Sequence, residues 1–135
     1  MVCIYCQQSL SVNNSRPQKR SNQTWRRRPC KACGAVFTTI EAIDLSQAVS
    51  VLKNGSLTTF DRDRLFLSLY QSLRHRTTAI SDARGLSDTV TAHIMFSTTN
   101  GQIAARAIFE SALNTLQRFD KAAATHYAAF HSRNQ

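Results

Sequence analysis

Cysteine occurs at only four places in this chain, positions 3, 6, 30 and 33, as two Cys-x2-Cys pairs separated by 23 residues. Two residues between paired thiols allow a tight turn to aim both sulfurs at one metal, and a second such turn completes a tetrahedron. The spacing fits a zinc ribbon in which each pair sits on its own knuckle. Two disulfides or a thioredoxin-like redox pair are the alternatives. Nothing points to an oxidising compartment, and no βαβ pattern surrounds either pair. The expectation is therefore one structural Zn2+ per chain, held by Cys3, Cys6, Cys30 and Cys33. Four protein ligands leave no open position for catalysis.

The segment around these cysteines needs such a staple. It has few aliphatic residues and a polar run from Ser11 to Thr24, read here as a loop, and it cannot offset its ordering entropy by burial alone. It is also strongly basic. Residues 1–41 carry seven Lys and Arg against one acid, a net +6 of the chain's +9, while residues 42–135 carry only +3. This imbalance points to an anionic partner, nucleic acid first. Arg26-Arg27-Arg28 precedes the third ligand, with Trp25 beside it and Arg16 in the preceding segment. Arg16, Arg26, Arg27 and Arg28 are the candidate contacts to double-stranded DNA. A lone Trp25 serves equally well as a mini-core or as a stacking platform.

From about Gln47 the texture changes. Residues 47–53 and 56–60 flank Asn54-Gly55, a pair suited to a two-residue type I′ hairpin. Asp61 stands at an N-cap, and Leu65, Phe66, Leu69, Tyr70 and Leu73 predict a helix over about 62–75. Further helices are expected over about 81–97, 102–118 and 121–132, with Asn100-Gly101 as a break. No apolar run approaches the roughly 18 residues a membrane span needs, and the chain opens on Cys3 and Cys6 where a signal peptide would be apolar. A soluble, cytoplasmic, non-membrane protein is expected. No triad, paired carboxylates or Walker-type loop is visible, so no enzyme activity is expected.

The order Cys3-x2-Cys6, Ser15-Arg16, Trp25-Arg26-Arg27-Arg28-Pro29-Cys30-x2-Cys33, Phe37-Thr38-Thr39-Ile40-Glu41 resembles the N-terminal zinc ribbon of the NrdR family, bacterial repressors of ribonucleotide reductase genes. Val51-Leu52-Lys53-Asn54-Gly55, Phe60-Asp61-Arg62-Asp63-Arg64-Leu65 and Leu116-x3-Asp120-x2-Ala123 are similar to that family's ATP-cone, a helical nucleotide-binding module capped by a hairpin. Leu57 stands where the family usually has Arg.

The resemblance implies an α+β chain, with a zinc ribbon at 1–45 and a mainly helical ATP-cone at 46–132. It implies a nucleotide-responsive repressor whose partners are a DNA operator, ATP or dATP, and further copies of itself in a nucleotide-dependent homo-oligomer. Lys53, Arg64 and Arg76 are the candidate nucleotide-phosphate contacts, since a strand end, a first helical turn and a helix exit could converge on one polyphosphate. Two other readings stay open: a nucleotide-binding accessory subunit acting directly on an enzyme, and an RNA-binding zinc ribbon.

Overall fold

The computed structural model describes residues 1–131, which divide into two units, residues 1–43 and the segment from Asp44 onwards. The first is an antiparallel meander of β1 (Asn14–Gln18), β2 (Gln23–Pro29) and β3 (Val36–Ala42). Two knuckles of the same design flank it. In each, the first Cys of a pair donates its N–H to the carbonyl five residues on, and its own carbonyl accepts from the residue four on: Cys3 with Gln8 and Gln7, Cys30 with Ala35 and Gly34. The fifth residue of each knuckle has positive φ, 60° at Gln7 and 76° at Gly34. The buried core is only Cys3, Leu10 and Cys30, with Cys6, Ala35 and Phe37 packed against them.

The expectation of a loop over 11–24 is corrected, because half of that run lies in strands, Asn14–Gln18 as β1 and Gln23 and Thr24 as the start of β2. The residues of β1 are almost all exposed and show no alternation, so period-2 reasoning had nothing to register.

The second unit opens with a short helix α1 (Leu45–Ala48), followed by β4 (Ser50–Lys53) and β5 (Ser56–Thr59), which form the hairpin. Asn54 and Gly55 turn it with φ of 49° and 79°, the positive pair that a type I′ turn requires. Helices α2 (Arg62–Leu73), α3 (Ala79–Ser97), α4 (Ala105–Phe119) and α5 (Lys121–His131) follow. Asp61 caps α2 by accepting from the N–H groups of Asp63 and Arg64. The core is built from the inward stripes of these helices, with Leu69, Leu73, Val90, Ile94 and Leu116 fully buried. The expected end of the last helix at Ser132 lies outside the described residues.

Two boundaries are corrected. The second long helix begins at Ala79, earlier than 81. Residues Gln102–Ala104 are a strand, β6, paired parallel to β4 with Ser50 opposite Gln102 and Val51 opposite Ile103. The sheet order is thus β5-β4-β6. Gly101 makes this junction possible: its carbonyl accepts from Ser50 N–H at 2.8 Å, its φ is 73°, and a Cβ there would meet the Ala48 carbonyl at 3.1 Å. No helix among the described residues is long and apolar enough to cross a membrane.

Candidate metal centre, basic sheet and helical pocket

The two knuckles bring the four cysteine Sγ atoms within 4.8 Å of one another, with Cys3 3.6 Å from Cys33 and Cys6 3.4 Å from Cys30. A disulfide would require about 2.05 Å, so these are free thiols. Sulfurs placed about 2.3 Å from a tetrahedral zinc stand roughly 3.8 Å apart, which these separations fit. The donor chemistry fits as well. The Cys33 backbone N–H directed at Cys30 lowers that thiol to about 6. Cys6 is pushed up to about 12 in spite of a lowering hydrogen bond from the Gln8 backbone, because it shares its proton with Cys30 and is partly desolvated. Four sulfurs this close cannot all ionise unless a cation balances them.

The pleat of β2 splits the basic run. Successive strand residues point to opposite faces, so Arg26 and Arg28 lie on one side of the sheet and Arg27 on the other. Arg26 is half-buried in a forked ion pair with Glu41, 2.8 and 3.0 Å to its oxygens, and also donates to the Ser15 hydroxyl. Arg28 Nε donates to the Thr39 hydroxyl at 3.0 Å. Arg16 and Arg27 are exposed, and their side chains have no ion pair or hydrogen bond among the described residues. Strand alternation therefore divides the three consecutive candidate DNA contacts Arg26, Arg27 and Arg28 between the two faces of the sheet.

In the helical unit, Lys53 sits at the mouth of a cavity of about 420 Å³. Its lining includes Asn54 from the hairpin turn, Arg106 and Phe109 from α4, and Tyr127 and His131 from α5. Phe109 stacks on Tyr127 with ring centroids 5.6 Å apart, and Tyr127 lies 4.3 Å from His131. His131 Nε2 is 2.6 Å from the Ser68 hydroxyl of α2. Burial, with His126 and Lys53 nearby, pushes the His131 pKa down, so this ring resists a positive charge. Arg106 reaches the cavity while also pairing with Glu110 one turn on.

Reasoning from sequence missed Arg106, Tyr127 and His131. The parallel β4–β6 pairing is what carries the start of α4 to Lys53, and a strand read as the first turn of a helix hides it.

Arg64 lies exposed in the first turn of α2 and is not among the described residues lining this cavity. Arg76 is placed elsewhere. It pairs with Asp82 at 2.8 Å and Asp120 at 3.1 Å and covers the Phe119 ring at 4.8 Å. Asp120 caps the start of α5, whereas Lys53 lies beside its end, roughly 15 Å along the helix. The structure thus does not bring Arg76 to Lys53, and its guanidinium ties the α2–α3 turn to the α4–α5 turn.

Comparison with known proteins bears on both units. Residues 1–41 match the family model described as "Transcriptional repressor NrdR-like, N-terminal domain". The chain is 31% identical to Transcriptional repressor NrdR 2 of Paramagnetospirillum magneticum over 130 residues, covering 96% of this chain and 84% of that protein. It is 34% identical over 132 residues to Transcriptional repressor NrdR of Rhodopseudomonas palustris strain BisA53, covering 96% and 81%. Against Transcriptional repressor NrdR of Methylorubrum extorquens strain PA1 the identity is 32%, over 96% of this chain and 70% of the other.

Proposed function

Because the chain belongs to the NrdR family of transcriptional repressors, we propose that it is a zinc-dependent, nucleotide-responsive repressor of ribonucleotide reductase genes, in which the ribbon holds operator DNA and the helical unit senses ATP or dATP. The observation that carries the DNA half is a sheet beside four convergent thiols whose basic side chains include two, Arg16 and Arg27, with no hydrogen-bond or ion-pair partner among the described residues. Such cations attract phosphate and release counterions on binding. Zinc at Cys3, Cys6, Cys30 and Cys33 would fix the knuckles that frame that sheet.

The helical half rests on the cavity at Lys53. A cation on the rim, a second at Arg106 and a stacked aromatic wall suit a planar base carrying phosphate. Lys53 is the favoured phosphate contact; Arg64 is secondary, and Arg76 is engaged elsewhere. Nucleotide would control repression if one oligomeric assembly binds it more tightly than another. A cytoplasmic location follows from such a role.

The test is gentle purification followed by native mass spectrometry and DNA-binding titrations with and without ATP and dATP. The reading expects one zinc per chain, salt-sensitive DNA binding, and an assembly size that changes with nucleotide. Zinc-loaded protein that ignores duplex DNA would overturn it.

A further inference from the structure

The strand register places six side chains together on one face of the ribbon sheet in two cross-strand rows. Asn14, Arg27 and Thr38 form one row, and Arg16, Trp25 and Ile40 the next. All six are exposed, Trp25 by 45% and Ile40 by 61%. The unit's only carboxylate, Glu41, lies opposite Thr24 and belongs to the other face, where it neutralises Arg26. One face therefore carries two guanidiniums unpaired among the described residues, around an apolar centre with no acid of this unit, and the other carries guanidiniums already engaged.

Resting on the proposal that the ribbon binds duplex DNA, we infer that DNA is held by the face of Arg16, Trp25, Arg27 and Ile40 alone, with Trp25 and Ile40 in contact with the duplex and Arg26 acting as a positioning residue. An exposed indole directly across from an exposed isoleucine is costly to leave in water on so small a unit. Flanking cations with no acid select a polyanion to cover it, and an apolar protein face would leave both charges buried and unpaired. Three strands span about 10 Å, within the roughly 12 Å of the major groove. There, Ile40 and the Thr38 methyl can meet thymine methyls while the guanidiniums reach phosphates or guanine edges. Arg26 holds β2 against β3 through Glu41, which fixes the rows without touching DNA.

Trp25 is the chain's single tryptophan, so unmodified, zinc-loaded protein carries its own probe. On titration with a short mixed-sequence duplex at low salt, Trp25 emission is expected to be quenched and to become shielded from acrylamide. Arg16→Gln/Arg27→Gln, with zinc content unchanged, should lose roughly thirtyfold or more in affinity and lower the salt-dependence slope by about 2. Arg28→Gln should stay within about twofold of wild type. Wild-type protein that binds the duplex while Trp25 stays fully open to quencher overturns this face assignment and leaves DNA binding standing. So does an Arg28→Gln loss exceeding that of the Arg16/Arg27 pair. No binding by wild type overturns the underlying reading as well.

Discussion

The ribbon and the helical unit solve the same problem by opposite means. Residues 1–43 bury little besides two of their own cysteines and Leu10, so their fold is specified by knuckle hydrogen bonds and four convergent thiols. The helical unit buries a continuous set of apolar side chains from four helices, β6 and the residues flanking the hairpin, and needs no staple. The difference separates two kinds of fragility. The ribbon can fail completely when one ligand goes, whereas the helical unit loses stability in increments.

The comparison breaks most sharply at the metal. Zinc removal by a strong chelator, or Cys30→Ser, should abolish the ribbon's cooperative fold and with it DNA binding, because binding free energy at such sites is folding free energy, on the order of 10 kcal/mol or more. Helical circular dichroism from α2–α5 should persist. A ribbon that keeps its dispersed amide spectrum without metal would show that its small core suffices. Next in size is Leu69→Ala, which truncates a fully buried side chain in α2 and should cost about 2–5 kcal/mol in urea unfolding of the helical unit. Zinc content should not change.

How much of this could be read from sequence follows the same division. The cysteine spacing, the Asn54-Gly55 turn, the Asp61 cap and the 3.6-residue stripes in α2 to α5 are local signals, and each names its own geometry. Hidden from sequence was whatever depends on pairing distant segments. Gln102–Ala104 becomes a strand only because β4 lies beside it, and with that pairing Arg106 joins Lys53 at one cavity. Arg76 reads as a free cation until Asp82 and Asp120 are seen to hold it. Arg26-Arg27-Arg28 divides between two faces only once residues 23–29 pair as a strand, and Gln-Thr-Trp-Arg-Arg-Arg-Pro carries no apolar–polar alternation to announce one.

Lys53→Gln sharpens the comparison from the helical side, since it removes a surface charge without touching the core. Binding of ATP or dATP should weaken by about tenfold, roughly 1.4 kcal/mol, as measured by calorimetry. Zinc content and DNA affinity in the absence of nucleotide should stay unchanged. Equal binding by wild type and variant would move the phosphate away from the hairpin.

The last effect concerns acid. Asp120 accepts from the Ala123 backbone N–H at the start of α5 and also faces His75 at 3.0 Å and Arg76 at 3.1 Å. The Ala123 N–H, then His75 and Arg76, hold its carboxyl at about 2, below the ordinary 3.8. A carboxyl whose folded pKa is depressed adds stability that is fully present above its unfolded pKa and is lost as pH falls through the folded value. The helical unit should therefore lose this increment between about pH 4 and pH 2. The ribbon should give way at higher pH, because protons compete with the metal for thiolates. Two acid transitions, zinc release first and helix loss second, are expected when zinc content and circular dichroism are followed together. Asp120→Asn keeps an oxygen for the Ala123 N–H but removes the charge, so it should flatten the slope between pH 4 and 2 while leaving the zinc-release midpoint in place. An unchanged slope would mean that other carboxylates govern the acid limit of the helical unit.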